Sequence, residues 1–432
     1  MERILTRNVD KDSSTTLAVY EASGGYQALR KATSSMTPDQ VTDEVKKSGL
    51  RGRGGAGFGC GLKWSFMPKE ADTRRPHYFL INADESEPGT FKDRLLMEKD
   101  PHLVIEGSLL GAYAIRASKV YIYIRGEFVE AANVLDRAIE EAYAKRYAGP
   151  NILGTAWSCD VIVHRGAGAY ICGEETGLMS SLEGNRGYPR LKPPFPAASG
   201  VWGCPTTINN VETVANVPFI IERGADWFLS VGKAPRNTGP KLYCLSGHVK
   251  RPGVYEAPMG LPLRELIYDL GGGMLHDDRP LKAVIPGGSS VPVLRADECD
   301  VDLDFDSLAA KGTMLGSAGL MVMDSGTCMV GAMARIAHFY THESCGQCTP
   351  CREGCGWLER VLHRIENGRG MPQDLDLLLS VSNNIIGNTI CALGDAAAMP
   401  AISFVTKFRD EFQHHIDHKA CLTGTRALQG AG

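Results

Sequence analysis

Three closely spaced cysteines are the residues with the clearest capacity for chemistry in this chain. Cys345, Cys348 and Cys351 follow the pattern C-x₂-C-x₂-C, with glycine, threonine and proline among the residues between them. This spacing brings three thiolates towards one point, as a cubane iron–sulfur cluster requires. Zinc is the main competing metal, although its sites usually combine two separated pairs of ligands. Ordinary buried cysteines are the third interpretation. The regular spacing favours the cluster.

The fourth ligand of such a cluster has two candidates. Cys355 extends the run to C-x₂-C-x₂-C-x₃-C, a spacing in which the last cysteine serves a second cluster. The sequence contains no second cysteine triple. Cys391 lies in the segment ICALG at 390–394, where a turn bounded by glycine would return a thiol to the cluster. We therefore predict that Cys391 binds and that Cys355 is a neighbour that does not.

A glycine-rich stretch, RGRGGAGFGCGLKW at residues 51–64, is a second candidate site. Glycines permit positive φ angles and a close approach of the backbone to a phosphate or a ring. Arg51, Arg53 and Lys63 add positive charge, which favours an anionic ligand. The stretch matches neither the Rossmann nor the P-loop pattern. The adjacent Lys63 and Trp64 favour nucleotide binding over a flexible surface loop.

An acidic segment, NADESEPG at 82–89, follows an apolar strand predicted over 77–82. Ligands of α/β sheets bind beyond the carboxyl ends of the strands. The carboxylates are therefore candidate acceptors for ribose hydroxyls or a carboxamide, with a solvated acidic turn as the alternative. A second glycine-bearing loop, GAGAYICGEET at 166–176, follows the strand predicted over 159–164.

Two further segments carry candidate ligand-binding residues. The segment LKPPFP at 191–196 is stiff because its prolines fix φ, so it would hold Lys192 and Phe195 in place. Surface charge and hydrophobic packing are the alternatives for these two residues. The segment TINNVET at 207–213 is predicted to open a helix with amides suited to a polar ring edge.

Composition limits the class of protein. The 432 residues are 22% charged and 43% hydrophobic with a net charge of −4, which is typical of two to four globular domains and gives no reason to expect nucleic-acid binding. The first residues have no apolar export signal, and no apolar run is long enough to cross a bilayer. Thirteen cysteines without such a signal indicate a reducing compartment and metal or redox use. We expect a cytoplasmic protein.

Secondary-structure patterns divide the chain into three regions. Helices and strands alternate up to residue 164, which predicts a three-layer α/β domain with a mainly parallel sheet. A small α+β sheet domain is predicted from about residue 241. From residue 328 the pattern is helical, with helices predicted at 329–340, 353–366, 373–384 and 396–414.

Eight sequence blocks together resemble one known family. They are RGRGGAGF, GLKW, INADESEPGT, GAGAYICGEET, LKPPFPA, TINNVET, SCGQCTPCREG and ICALGDAA, and they run in order from about residue 45 to 415. This set resembles the flavin-bearing, NADH-oxidising subunit of bacterial respiratory complex I. It is also similar to the diaphorase subunits of NAD-reducing hydrogenases and NAD-dependent formate dehydrogenases.

The resemblance implies a fold and a domain order. An α/β sandwich that binds FMN and NADH would be followed by a β-grasp (ubiquitin-like) domain and a C-terminal helical bundle with a 4Fe-4S cluster. The expected divisions are an N-terminal helical arm and glycine-rich loop at 1–65, the FMN/NADH-binding domain at 66–238, the β-grasp (SLBB-like) domain at 239–326 and the bundle at 327–432.

The resemblance also implies residue roles, by motif position. The cluster ligands would be Cys345, Cys348, Cys351 and Cys391. The FMN-binding residues would be Gly52, Gly54, Gly55, Lys63, Asn82, Asp84, Tyr170, Gly173, Glu174, Asn209 and Asn210. The NADH-binding residues would be Phe58, Glu85, Glu87, Glu175, Lys192 and Phe195. A carboxylate at Glu175 would repel a 2′-phosphate, which predicts NADH over NADPH.

The implied activity is electron input. Hydride would pass from the substrate NADH directly to FMN with no catalytic protein acid or base, and single electrons would leave through the cluster. The implied partners are a two-iron thioredoxin-like subunit and a larger iron–sulfur subunit, which would hold the chain at the inner membrane from the cytoplasmic side. The alternatives are a hydrogenase or formate dehydrogenase diaphorase and a zinc-stapled scaffold without activity.

The sequence departs from the family pattern at two places. Gly59 and Cys60 stand where the family usually has Pro-Thr, and Cys355 stands where it has threonine. The first change places an extra thiol near the expected flavin, and the second places one beside the expected cluster.

Overall fold

The computed structural model of this protein describes residues 2–70 and 74–424. Within it, the local sequence at Thr37 starts a helix. The N–H of Gln40 donates to Thr37 Oγ1 at 3.3 Å, and the N–H of Thr37 donates to Gln40 Oε1 at 2.8 Å. This reciprocal capping box is followed by Pro38 at the first helical position. The helix runs over Pro38–Lys47.

The described chain divides into two compact units. The first comprises residues up to Ser86, Phe91–Tyr243 and Val254–Leu261; the second comprises Glu87–Thr90, Cys244–Gly253 and the residues from Pro262 onward. The predicted four-part division stays a prediction, and its outer limits at residues 1 and 432 lie outside the described residues.

A four-stranded parallel sheet forms the centre of the first unit. Its strands are β1 His77–Ala83, β2 Ala117–Ile124, β3 Asp160–Arg165 and β4 Thr206–Asn210. Their order is β3-β2-β1-β4, with every neighbouring pair parallel. All four strands therefore end at the same edge of the sheet. The predicted strands and the parallel α/β arrangement are confirmed.

Helices pack around this sheet and thereby bury their apolar faces. The helices of the first unit are α1 Leu17–Ala22, α2 Gln27–Ser35, α3 Pro38–Lys47, α4 Cys60–Trp64, α5 Lys92–Lys99, α6 Pro101–Ala114, α7 Val129–Ala144, α8 Glu175–Leu182, α9 Val211–Ala215, α10 Val217–Arg223 and α11 Ala225–Leu229. Helix α6 is buried on nearly all sides. A Cβ at Gly107 would lie 2.1 Å from the carbonyl oxygen of Val214, so glycine lets α6 and α9 approach at backbone distance.

One predicted helix start is wrong. Residues 207–210 form part of β4, and the helix begins only at Val211. The segment pairs with β1 although it is polar: Thr206, Thr207 and Asn209 are buried, and Asn209 Oδ1 accepts a hydrogen bond from Trp64 Nε1 at 2.8 Å. Asn210 ends the strand and caps α9 by accepting the N–H of Thr213 at 3.3 Å.

A second sheet contains strands from the middle of the chain. The remaining strands are β5 Gly232–Lys233, β6 Asn237–Thr238, β7 Pro240–Gly247, β8 Gly253–Pro258, β9 Leu261–Pro262, β10 Leu281–Ile285, β11 Leu294–Arg295, β12 Asp302–Leu303 and β13 Gly319–Asp324. The five-stranded sheet has the order β11-β10-β13-β7-β8. Strand β13 runs parallel to β7 and antiparallel to β10. The short helices here are α12 Leu263–Glu265, which continues as a π-type turn, and α13 Phe305–Ala310.

The second unit ends in a helical bundle. Its helices are α14 Met329–Glu343, α15 Thr349–Glu366, α16 Asp374–Ile385, α17 Leu393–Lys407 and α18 Arg409–His418. Leu362, Phe404 and Phe412 lie in its buried core. The single helix predicted over 396–414 is two helices, because the backbone leaves the helical conformation at Phe408.

The described part of the chain contains no helix that combines the length and apolarity needed to cross a bilayer.

Candidate functional site

The glycine-rich stretch forms a closed loop in the first unit. The N–H of Gly52 donates to the carbonyl of Phe58 at 2.8 Å, and Arg51 Nε donates to the carbonyl of Gly57 at 2.7 Å. Gly55 and Gly57 have φ angles of 133° and 65°. A Cβ at Gly55 would meet no atom within 4 Å, so the tip of the loop borders open space. The geometry fits a backbone cradle for a phosphate or ring.

The strand ends bring several predicted residues to this loop. Asn82 on β1 lies opposite Asn210 on β4. A Cβ at Gly54 would lie 3.0 Å from Asn210 Cβ, so the loop packs directly against the end of β4. Asn82 Nδ2 donates to the carbonyl of Gly173 at 2.8 Å. The predicted FMN residues Gly54, Asn82, Gly173 and Asn210 therefore meet at one edge of the sheet.

Asp84 and Tyr170 belong to the same edge. The N–H of Asp84 donates to Asn82 Oδ1 at 3.2 Å, and a Cβ at Gly173 would lie 3.4 Å from the carbonyl oxygen of Asp84. Tyr170 begins a short 3-10 helix that ends at Gly173. Both side chains are half-buried.

Two predicted FMN residues also have partners inside the protein. Glu174 caps α8 by accepting the N–H groups of Thr176 and Gly177 at 2.7 and 2.8 Å. Asn209 is buried, where it accepts a hydrogen bond from Trp64 Nε1 at 2.8 Å. These contacts position the helices on both sides of the edge, and the FMN contacts of the two residues stay predictions.

Cys60, the extra thiol of the glycine stretch, points into the protein. Its Sγ is 3.4 Å from Asn209 Nδ2, and the residue is buried. Burial raises the pKa of Cys60 to about 12. The thiol is therefore protonated at neutral pH and is an unreactive structural group.

A carboxylate with two cations stands beside the loop. Lys63 Nζ lies 2.9 Å from Glu175 Oε2, and Lys192 Nζ forms an ion pair with Glu175 Oε1. Burial by itself would raise the pKa of Glu175, but Lys63 and Lys192 together lower it to about 2. Glu175 is therefore ionised throughout the neutral range. The structure brings a predicted FMN residue and two predicted NADH residues into one charged group.

The two predicted NADH-binding phenylalanines are exposed. Phe58 and Phe195 expose 50% and 61% of their surface. Aromatic side chains of this size are usually buried, so an exposed ring is available to stack on a ligand. Phe66, which the sequence did not single out, is also exposed, with its ring centroid 6.3 Å from that of Phe58. Its only sequence signal was its position two residues after the glycine-rich stretch at 51–64.

Glu85 and Glu87 make structural contacts, each within its own unit. The Glu85 carboxylate accepts the N–H groups of Asp93 and Arg94 at 2.8 and 2.9 Å, which caps α5. Burial, with the Asp93 carboxylate, raises the pKa of Glu85 to about 7. Glu87 accepts the N–H of Ser290 at 2.8 Å. Both predicted NADH contacts stay predictions.

A buried charge network in the first unit was missed at the sequence level. Glu212 Oε2 lies 2.8 Å from Lys92 Nζ and 2.7 Å from Lys241 Nζ, and none of these side chains is exposed. Lys92 also pairs with Asp93 at 2.8 Å, and Asp93 accepts Asn210 Nδ2 at 2.6 Å. Asn210 therefore connects this network to the predicted FMN site. The network's only sequence signal was the position of Glu212 two residues after the Asn209-Asn210 pair.

Charge balance keeps this network ionised. Burial would raise the pKa of Glu212, but Lys241 and Lys92 lower it. Burial lowers the pKa of Lys241 to about 8, although Glu212 opposes that shift. Buried Arg53 joins the same region: its backbone N–H donates to Thr213 Oγ1 at 2.8 Å and its guanidinium donates to the carbonyl of Thr238 at 2.7 Å. These contacts anchor the glycine loop to the start of α9.

The cysteine site lies in the bundle of the second unit. Cys345 is in the loop after α14, Cys348 precedes α15, and Cys351 is in its first turn. The N–H of Ile390 donates to Cys348 Sγ at 3.3 Å, so the segment that carries Cys391 lies next to the triple. Cys355 follows one turn after Cys351, with its Sγ 4.0 Å from Cys351 Sγ. The structure therefore brings both candidates for the fourth ligand close to the triple.

This donor set fits a cluster better than a single ion. Each thiolate of a cubane binds a different iron, so its sulfurs stand further apart than those around one zinc ion. Among the described residues, no three of these cysteines have sulfurs within 4.8 Å of one another. Four soft thiolate donors on two neighbouring segments are the ligands that iron–sulfur clusters use.

Comparisons with known proteins agree with this arrangement. The family model "Nuo51 FMN-binding domain" matches residues 45–219, "NADH-ubiquinone oxidoreductase-F iron-sulfur binding region" matches 331–415, and "SLBB domain" matches 242–294. An F subunit of NADH-quinone oxidoreductase in Rhizobium meliloti is 56% identical over 420 residues, which cover 97% of this chain and 99% of that protein. The corresponding F subunit in Mycobacterium tuberculosis H37Rv is 53% identical over 97% of this chain and 94% of that one.

The chain belongs to the family of NADH-quinone oxidoreductase F subunits. A solved structure of an NAD⁺-reducing [NiFe]-hydrogenase in the air-oxidised state is also similar, with a TM-score of 0.82 and 34% identity over 96% of this chain and 67% of that chain. As a member of this family, the chain carries the FMN-binding and 4Fe-4S-binding regions that the resemblance implied, and the predicted fold class and cofactors are confirmed.

Proposed function

We propose that this chain is the NADH-oxidising, electron-input subunit of a respiratory NADH-quinone oxidoreductase. The observation that carries the proposal is the edge at which Gly54, Asn82, Gly173 and Asn210 meet beside a charged group of two lysines and Glu175. Bound FMN supplies a two-electron acceptor that releases electrons singly, and a four-iron cluster supplies a one-electron carrier. The protein holds these groups and selects the nucleotide.

The proposed FMN site combines backbone and side-chain donors. Gly52, Gly54, Gly55 and Lys63 would hold the phosphate and one face of the ring, as the closed loop and its cation support. The strand-end side chains would meet the polar edge of the ring. The remaining proposed FMN residues are Asn82, Asp84, Tyr170, Gly173, Glu174, Asn209 and Asn210. Glu174 and Asn209 would act mainly by holding α8 and α4 in position, since both are engaged by the protein.

The proposed NADH site uses exposed rings and one lysine. Phe58 and Phe195 would stack on the adenine, and Lys192 would neutralise a phosphate. Glu175 would accept ribose hydroxyls, and its ionised carboxylate would repel the 2′-phosphate of NADPH. Glu85 and Glu87 are the weakest of the proposed contacts because each already accepts backbone N–H groups.

The proposed cluster ligands are Cys345, Cys348, Cys351 and Cys391. The hydrogen bond from Ile390 N–H to Cys348 Sγ supports Cys391, because it holds the downstream segment at the triple. No catalytic acid or base is assigned, since the chemistry belongs to the cofactors.

The relatives named as subunits of NADH-quinone oxidoreductase support membership of a multi-subunit complex. We infer a two-iron thioredoxin-like subunit and a larger iron–sulfur subunit as partners, with the chain on the cytoplasmic side of the inner membrane. A diaphorase role in an NAD-dependent hydrogenase is the second candidate, favoured by the TM-score of 0.82 with the hydrogenase. Quinone reduction by the isolated complex would support the first role, and NADH-linked hydrogen turnover the second.

The test of the activity is anaerobic. Full-length protein carrying FMN is mixed with NADH or, in a second sample, with NADPH, and the flavin absorbance and the low-temperature EPR spectrum are recorded. Bleaching by NADH but not NADPH, with a four-iron signal on reduction, is expected. An FMN-loaded protein that does not respond to NADH would refute the proposal.

A further inference from the structure

A second group of metal-binding side chains lies in the bundle, made of residues outside the predicted cluster. Cys328 Sγ, His415 and Cys421 Sγ place one ligand atom each within 4.8 Å of the other two. Cys328 Sγ is 3.4 Å from His415 Nε2 and is hydrogen-bonded to the Cys421 thiol. Cys328 and Cys421 both lie outside residues 331–415, the range matched by the iron–sulfur region. This group therefore needs its own explanation.

The distances suit one metal ion. Zn–S bonds of about 2.3 Å and Zn–N bonds of about 2.0–2.1 Å place tetrahedral ligand atoms roughly 3.6 Å apart. The 3.4 Å separation of Cys328 Sγ and His415 Nε2 is close to that value. Two thiolates with an imidazole form a donor set that selects zinc among the common divalent ions. Hydrogen bonds link Cys328 to both of the other side chains, and one bound ion would replace both of these bonds.

Neighbouring groups orient the ligands as metal sites require. The N–H of Gly331 donates to Cys328 Sγ at 3.3 Å, at the start of the 15-residue helix α14. His415 is buried and its ring is hydrogen-bonded to the backbone of Ile365, while Nε2 faces Cys328. Such a bond to the second nitrogen fixes the ring in metal-binding histidines.

A candidate fourth donor lies next to Cys328, although its carboxylate is not within 4.8 Å of all three of the other ligand atoms. Glu366 Oε2 lies 3.8 Å from Cys328 Sγ, near the roughly 3.6 Å expected between a sulfur and an oxygen around one zinc ion. Glu366 is the last residue of α15. The four side chains thus come from the start of α14, the end of α15, helix α18 and the segment that follows it.

We propose that Cys328, His415 and Cys421 bind one zinc ion, with the Glu366 carboxylate as the fourth ligand. Binding would release the two thiol protons to solvent and leave the ion held by two thiolates, a neutral imidazole and a carboxylate. The ion fastens the segment after α18 to the first turn of α14 and to the end of α15. It is a structural site, since all four tetrahedral positions are filled by protein.

The test is metal analysis of the full-length chain that carries its cluster, after dialysis against a weak chelator. Plasma mass spectrometry should find about one zinc ion in addition to about four irons per chain. Cys421→Ser should lower the zinc content roughly tenfold and leave the iron content unchanged. Cys355→Ser is the matched control, because it removes a buried bundle thiol outside the proposed site, and it should keep the zinc.

Two further measurements keep the result independent of whether a variant folds. X-ray absorption of the wild-type protein should show zinc with sulfur and nitrogen or oxygen neighbours, and Co²⁺ in its place should give thiolate charge-transfer bands that Cys345→Ser retains. Zinc that disappears with Cys345→Ser but persists in Cys421→Ser would place the ion at the cluster site and overturn the proposal. A wild-type chain without zinc, or one with a disulfide between Cys328 and Cys421, would also overturn it.

Discussion

The two sites of this chain are built in opposite ways. The site at the strand ends of the first unit relies on backbone groups and ion pairs inside the protein. Glu212 lies between Lys92 and Lys241. Glu175 lies between Lys63 and Lys192. The cysteine region of the second unit offers thiol side chains on a loop, a helix start and a turn. Contacts within the protein hold the side chains of the first site, whereas the thiol groups of the second site are the proposed ligands of a cluster. Mutations should therefore affect the two regions differently.

The largest expected effect is at the thiol site. Cys391→Ser should abolish or strongly alter the four-iron EPR signal, because a cubane that loses one thiolate is no longer fully ligated. Cys355→Ser is the matched control and should leave the signal largely intact. Low-temperature EPR of the reduced full-length chain measures both. The reverse pattern would assign the fourth ligand to Cys355.

Loss of Glu212 should cost the most stability in the first unit. Glu212→Ala leaves Lys92 and Lys241 buried without their shared carboxylate, and breaking a buried ion pair costs about 3–5 kcal/mol. FMN content should fall with it, since the network holds Asn210 through Asp93. Urea denaturation of the full-length protein measures the effect. Glu130→Ala, at an exposed site, should change stability by about 0.5 kcal/mol or less; equal losses in both variants would contradict the ion-pair argument.

A substitution at Gly54 tests whether the glycine loop must pack closely against β4. Gly54→Ala adds a Cβ 3.0 Å from Asn210 Cβ, so one of the two must move, at a cost of about 1–3 kcal/mol for overpacking. FMN affinity should fall about tenfold or more, as measured by fluorescence titration of the flavin-free protein. In Gly59→Ala the new Cβ would be 3.5 Å from Leu62 Cβ, an ordinary contact, and FMN affinity should hardly change.

Replacing Glu175 should have the smallest effect, and this effect should be confined to the choice between NADH and NADPH. Glu175→Gln removes the ionised carboxylate that would repel a 2′-phosphate, so the preference for NADH over NADPH should fall about tenfold, or about 1.4 kcal/mol. Steady-state kcat/KM for both nucleotides measures the preference. An unchanged ratio would mean that Glu175 does not face the ribose.

The same residue makes a prediction about pH. The pKa of Glu175 is lowered to about 2 in the folded protein, below the unfolded value of about 4.3, so its ion pairs stabilise the fold fully above about pH 4.3. That stability is lost as the pH falls from about 4.3 towards about 2. Acid unfolding of the wild type and of Glu175→Gln should therefore converge as the pH decreases. Curves that stay parallel would show that the ion pairs contribute little.

The parts of the fold that depend only on residues close together in the sequence were predictable from it. The strand that ends near Asn82 was predicted because its apolar residues follow one another directly in the sequence. Strand β4 was missed because its residues are polar, and only pairing with β1 makes them a strand. The break at Phe408 was missed for a similar reason, since the apolar pattern continues across it.

By itself, the sequence determined the kinds of chemistry available: the thiol triple, the glycine loop and the acidic strand end. Only the tertiary structure decided which side chains are engaged by the protein. Glu85 and Glu174 cap helices, and Cys60 is buried against Asn209. It also brought Cys328, His415 and Cys421 together. The reason is physical: a ligand set or a buried ion pair depends on distances in space, whereas sequence spacing fixes only the distances within one element.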